Sequence, residues 1–209
     1  MNIENVIEIE DTTGAFLPSE ASTAAPQSTL NELAVRIATK LVKLSEGCYL
    51  KAYCDPASEL AQAIQHAGHW NAYLQGKFPI PEEWEKLKAT PWTCGYGNTQ
   101  GVTKNTIYTQ QEADEKLDKR VREFMAAAIK ATPNLAKYSA EKIAAITSLV
   151  YNIGETNYRA YDISKQVQAG NHATVAAKFR QYVYAGGVIN EGLKNRRERE
   201  AALYSSVGS

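Results

Sequence analysis

E-G-C-Y-L-K-A-Y-C-D (residues 46–55) and P-W-T-C-G-Y-G-N-T (residues 91–99) are the two stretches from which the fold is read. The first sets two acids, Glu46 and Asp55, nine positions apart with a glycine at Gly47. The second sets Thr93 just ahead of a Gly95-Tyr96-Gly97 turn. A helix built only for packing has no need of Gly47, Pro56 and paired glycines so near its carboxylates. The arrangement therefore points to a site.

Working outward, Thr29-x-x-Glu32 has the form of a capping box and predicts a helix start. Leu30, Leu33, Ala34, Ile37, Ala38, Leu41 and Leu44 recur at helical steps, and Gly47 is placed to end the helix. Glu46 then falls in the last turn, at the negative end of the helix dipole, which disfavours a carboxylate and favours its protonated form. A solvated helix-end glutamate is the plain alternative; the flanking pattern favours a working residue. Tyr49–Tyr53 reads as a short strand and Asp55-Pro56 as a turn. Residues 58–90 form a detour, with one short helix over Leu60, Ile64 and Ala67 and a second over residues 81–87. Trp70, Tyr73, Phe78 and Trp84 supply a small core of its own, one of them alternatively stacking on carbohydrate. His66-x-x-His69 has half the spacing of a metal site, but no carboxylate or thiol completes it, so two exposed histidines and no bound metal are expected.

The second half is helical in period almost throughout. Thr109-x-x-Glu112 caps a helix running to Pro133. Further helices are expected from Ser139 to Tyr151, from Ile163 to Gln168, from Ala173 to Tyr184 and from Glu191 to Tyr204. These predict a bundle on one apolar core. Residues 1–28, rich in Ser, Thr, Ala and Pro, read as a flexible arm with at most a weak strand in V-I-E-I-E.

The 23 basic and 23 acidic residues give a formal charge of zero, so no global field argues for nucleic acid. No run is long enough for a membrane anchor, and the acidic N-terminus does not read as a signal peptide. Cys48, Cys54 and Cys94 are odd in number and read as three reduced thiols. All three flank the proposed site, so the sharper alternative is a disulfide that blocks it.

With S-L-V-Y-N-I-G-E-T (residues 148–156) and E-G-L-K-N-R-R-E-R-E (residues 191–200), three motifs stand in the order found in the bacteriophage-type lysozymes, the muramidases used as endolysins. The chain resembles that family over roughly residues 29–205, with one interruption: the Asp55-to-Thr93 gap is far longer than the family's. The resemblance implies an α+β, mainly α, two-lobed lysozyme-like fold, with a small β-containing lobe and a C-terminal helix bundle. It divides the chain into the arm (1–28) and a catalytic domain (29–209) carrying the insertion at about 58–90. It implies Glu46 as general acid, Asp55 with Thr93 positioning the attacking water, and an inverting cut in the glycan strand of peptidoglycan without a cofactor. Matching the motifs residue by residue adds Thr99, Tyr151 and Ser164 as substrate contacts. Asn98 stands where the family usually has histidine. Arg196, Arg197 and Glu200 are read as a solvated helix face with a local ion pair. The resemblance further implies a monomer made in the host cytoplasm that reaches the cell wall when a holin opens the membrane. A glycan-binding protein on the same fold and a lytic transglycosylase are the alternatives. The insertion is expected to act as a lid or an added wall of the cleft.

Overall fold

The computed structural model describes residues 27–206. Helix α1 (Gln27–Ser45) leads into strand β1 (Tyr49–Cys54), and the insertion follows with α2 (Glu59–His66) and α3 (Trp70–Leu74) before β2 (Trp92–Gly95). The rest comprises α4 (Gln110–Ala131), α5 (Ala140–Ile153), α6 (Glu155–Ala160), α7 (Asp162–Ala169), α8 (His172–Phe179), the hairpin β3 (Tyr184–Ala185)–β4 (Val188–Ile189), and α9 (Glu191–Ser205). This is the expected α+β, mainly α, architecture.

Helix α5 is its axis. Every residue from Ile143 to Val150 is buried, because the run I-A-A-I-T-S-L-V is apolar on all sides and α1, α4 and α9 pack around it. Its two interior hydroxyls are satisfied, Thr147 Oγ1 donating to Ile143 O at 2.8 Å and Ser148 Oγ to Glu200 Oε1 at 2.6 Å. Leaving either unpaired would cost about 1–3 kcal/mol. Thr109 caps α4 as predicted: its side chain accepts from the Glu112 N–H, and the Glu112 carboxylate accepts from the Thr109 N–H. Asn190 caps α9 by accepting from the Leu193 N–H.

Several expectations need correction. Helix α1 is already formed at Gln27, so Thr29 lies within it; Glu32 makes a bidentate pair with Arg122 of α4 (2.6 and 2.8 Å). Its inward face is Ala34, Val35, Ala38, Leu41 and Val42, while Leu33 and Leu44 are exposed. Helix α8 ends at Phe179. Beyond it, Gly186 and Gly187, both at positive φ, make the tight turn of a hairpin, and the flanking Tyr184, Val188 and Ile189 suit strands better than helix. Residues 81–87 form one 3-10 turn at Glu82–Trp84, too short a stretch for a helix, and the single-turn helices α3 and α6 lack a long apolar period to announce them. The arm expected over residues 1–28 and its possible strand lie outside the described residues, apart from the first two residues of α1.

The insertion closes on itself. The Asp55 N–H donates to Pro91 O (3.0 Å) and Ala89 O (3.2 Å), and the Leu60 N–H to Lys88 O (3.0 Å), so its two ends meet. Leu60, Ala61, Ile64 and Cys54 are its buried centre, with Trp70, Tyr73, Phe78 and Trp84 packed around them. The ring of His69 stacks on Phe78 at 4.4 Å. Two cores imply two stabilities. Ile64→Ala, at a fully buried position, should cost about 2–5 kcal/mol and raise amide exchange chiefly within 58–90. Ile146→Ala should instead raise exchange in α1, α5 and α9. Equal loss of protection in both regions from Ile64→Ala would show one core rather than two.

Candidate active site

The end of α1 holds Glu46: its N–H still donates to Val42 O at 2.8 Å, after which the chain turns into β1. Gly47 leaves room there for the Tyr49 ring, which a Cβ would approach to 2.8 Å and push aside. Strands β1 and β2 are antiparallel, with Tyr53 opposite Thr93 and Cys54 opposite Trp92. The whole insertion separates Asp55 from Thr93 in sequence, yet this register leaves Thr93 across from a residue two positions before Asp55. Thr93 is buried. Asp55 is half-buried, its Oδ1 accepting from the Ala57 N–H at 2.7 Å.

The largest departure from the sequence reading lies in α9. Arg196, Arg197 and Glu200 are 3%, 0% and 0% exposed, so they are not a solvated face. Arg196 donates from Nη1 to Glu46 Oε1 (2.6 Å), from Nη2 to Ser148 O (3.1 Å) and from Nε to Glu200 Oε1 (3.2 Å). Arg197 donates from Nη2 to Asn152 Oδ1 (3.1 Å) and to Glu200 Oε1 (3.2 Å). Its Nε lies 2.8 Å from Glu200 Oε2 but outside hydrogen-bonding direction, so that contact is ionic only. Burial pushes the Glu200 carboxyl up and the Arg197 guanidinium down to about 10, each against the pull of its partner. A signal for this was present: Arg197, Glu200, Ala201 and Tyr204 recur at helical steps and form the inward stripe.

Around Glu46 the guanidinium thus opposes the helix end. Arg196 engages Oε1, and Oε2 has no hydrogen-bond partner among the described residues. Two phenols stand nearby. Tyr53 pairs with Thr93 across the strands. Burial first, then the Glu46 charge, pushes the phenols of Tyr53 and Tyr151 up to about 12, so both stay protonated through neutral pH.

Of the other expected contacts, Tyr151 does join this group, its hydroxyl donating to Tyr96 O at 2.6 Å. Thr99 is exposed just beyond the glycine turn. Ser164 is not brought into the group. It is buried in the first turn of α7, donating to Tyr161 O at 2.8 Å, as a local capping hydroxyl does. Asn98 is buried and donates to the Tyr108 hydroxyl (3.0 Å) and Gln100 O (3.2 Å), so it ties down the turn. Cys94 is buried, its thiol pushed up by burial and directed at Leu50 O (3.4 Å). Cys54 sits in the insertion core, and Cys48 is half-buried beside Gln110. Among the described residues no cluster of His, Cys, Asp or Glu is suited to a metal, and no helix is long and apolar enough to cross a membrane.

The profile of the phage lysozyme family matches residues 81–200, more than half of the chain. The chain belongs to the phage lysozyme family. Within it, the chain is 30% identical over 124 residues to the endolysin of Bacillus phage PZA, matching 57% of this chain and 47% of that one, about half the relative's length. Among solved structures, this lysozyme-family fold is similar to the endolysin from Escherichia coli O157:H7 phage FAHEc1 (26% identity, TM-score 0.59, covering 82% and 92% of the two chains). It is also similar to the muramidase domain of SpmX from Asticaccaulis excentricus (19% identity, TM-score 0.61, covering 82% and 97%), a likeness of fold alone.

Arg196→Ala would remove the guanidinium that bridges Glu46 and Glu200 and leave the buried Glu200 with Arg197 alone. Breaking such a buried pair typically costs about 3–5 kcal/mol. Urea unfolding should show that deficit at pH 7 and a smaller one at acid pH, where the Glu200 carboxyl, pushed up by burial, takes up its proton and no longer needs the guanidinium. A deficit that is constant with pH would mean the loss is of packing rather than charge.

Proposed function

We propose that this phage lysozyme homologue is a muramidase that hydrolyses the β-1,4 bond between N-acetylmuramic acid and N-acetylglucosamine in peptidoglycan. The observation that supports this reading is the β1–β2 register, which keeps Thr93 at the Asp55 end of the sheet despite the insertion. The glycosidic oxygen needs a proton to leave, and the sugar carbon needs relief of positive charge as the bond breaks. Glu46 supplies the proton. With Oε1 held by Arg196, Oε2 is the oxygen free to carry it. As the bond from the sugar carbon to the leaving oxygen breaks, a water positioned by Asp55 and Thr93 attacks that carbon from the opposite face, and Asp55 takes its proton. The product is a new reducing end with inverted configuration; Asp55 then releases its proton to solvent, and solvent returns one to Glu46. Tyr53 and Tyr151 stay neutral through the cycle.

In this reading the protein acts as an endolysin on the cell wall of a host bacterium. It is made in the cytoplasm, and a holin gives it passage.

Glu46→Gln keeps the shape and removes the transferable proton, so cell-wall hydrolysis should fall about 100- to 10,000-fold with the fold intact by circular dichroism. Retention of activity within a few-fold would remove Glu46 as the acid. In this reading the Tyr53 hydroxyl meets the bound sugar or its water, so Tyr53→Phe should lower the rate roughly two- to tenfold, the worth of one neutral hydrogen bond of about 0.5–1.5 kcal/mol, while the pH profile keeps its shape. Mass spectrometry of digested peptidoglycan tests the reaction itself. Reducing ends are expected; anhydro-sugars would make the protein a transglycosylase, and no fragments would leave a glycan-binding protein.

A further inference from the structure

A cavity of about 190 Å³ lies between the insertion and the sheet, walled by Tyr53, Tyr73, Phe78 and Trp92. It exists only because of the insertion, which supplies Tyr73 and Phe78. Its wall is well fixed: the Tyr73 hydroxyl accepts from the Cys54 N–H at 3.1 Å, and Phe78 is clamped by His69 on one side and packed against Trp84 on the other. Tyr53 belongs both to this cavity and to the surroundings of Glu46 and Thr93, so cavity and candidate active site share a wall.

The rim is charged. Segment 104–107 pairs along β1, with the Ala52 N–H donating to Thr106 O at 2.9 Å, and this brings Lys104 to the opening. Lys104 is neutralised by Glu85 of the insertion at 2.8 Å. Lys51, on β1 at the same rim, forms no ion pair among the described residues. The lining therefore combines one uncompensated positive charge with four aromatic side chains.

These features select the ligand. The volume is below the roughly 300–1,000 Å³ of pockets that enclose a drug-sized molecule, so the cavity takes one small group rather than a glycan strand. The aromatic lining suits a short apolar side chain, and the free lysine suits a carboxylate. In peptidoglycan that combination belongs to the stem peptide, whose end carries small methyl side chains and a free carboxylate.

We propose that the insertion makes a stem-peptide pocket, holding the carboxylate end of a peptide through Lys51 while the adjoining glycan lies at the acids beyond Tyr53. This rests on the muramidase reading for its substrate, but not for its test. Trp70, Trp84 and Trp92 are the chain's three tryptophans, and all lie in or against the insertion core, so intrinsic fluorescence reports on this lobe. A synthetic stem tetrapeptide ending in D-alanine should change the emission of the full chain on titration. Its C-terminal amide should bind at least about fivefold more weakly, and Lys51→Ala should abolish that preference. Absence of binding, equal binding of acid and amide, or an undiminished preference in Lys51→Ala would each overturn the proposal. So would a stronger emission change with chito-oligosaccharide than with the peptide, since the cavity would then be a sugar site. Rates on intact cell wall and on peptide-stripped glycan separate the two readings. If the wild type cuts wall but binds no peptide, the pocket assignment fails and the muramidase stands. If peptide binding depends on Lys51 but neither substrate is cut, the muramidase reading fails and the pocket stands.

Discussion

The interaction on which the rest depends is the buried charge cluster of α9. Arg196, Arg197 and Glu200 are buried with almost no exposure, and they reach Ser148 and Asn152 on α5 and Glu46 at the end of α1. Desolvating such a group costs several kcal/mol per ion, and the return comes only if every lone pair and proton is met. Replacing the trio by apolar side chains could give an equally stable core. What an apolar core would not give is direction. Arg196 holds one oxygen of Glu46 at a fixed place, and it is itself held from the far side by Glu200 and the Ser148 carbonyl. The cluster thus exchanges stability for a carboxyl whose orientation is set by the centre of the bundle.

The sheet side is built on a different principle. Asp55 and Thr93 stand at the base of a long excursion, and the base is closed by backbone hydrogen bonds from Asp55 to Pro91 and Ala89. Loop closure becomes costlier only slowly with length, about 0.6 kcal/mol per doubling, so an insertion here is tolerable once its ends are pinned. The Cys54 and Trp92 side chains, neighbours across the two strands, pack into the insertion's own core. The insertion therefore buttresses the sheet end that carries Asp55.

Much of this was legible because local rules and the global fold agree. The Thr109–Glu112 box, the apolar run of α5, the strand at Tyr49 and the turn at Asp55-Pro56 each carry a signal that tertiary contacts reinforce. The misreadings have separate causes. Thr29 and Glu32 satisfy the spacing of a cap, but spacing does not exclude a helix that begins earlier, and the glutamate found a better partner in Arg122. The region after Phe179 kept a helical count of apolar residues while its glycines demanded a turn. For the candidate site, the sequence placed Glu46 at a helix end and Thr93 ahead of a glycine turn, and both stand so; Ser164 was carried by motif position, and its hydroxyl donates within its own helix turn. Arg196 was missed because charge on a helix is ordinarily solvated, and only the companion positions Ala201 and Tyr204 showed which way that face points.

These two foundations make the acids separable. Glu46 is fixed by the fully buried bundle, through α1 and Arg196; Asp55 is fixed by a turn at the edge of a smaller core. Openings of the smaller core cost less than global unfolding, since fewer buried apolar contacts must be broken. Such an opening would loosen the Asp55 end of the sheet while leaving Glu46 on Arg196. Glu46 is then the constant partner, and whatever steadies the insertion also steadies the strand end that carries Asp55 and Thr93. Tyr53 links the two, because it pairs with Thr93 across the strands and also lines the cavity that the insertion makes.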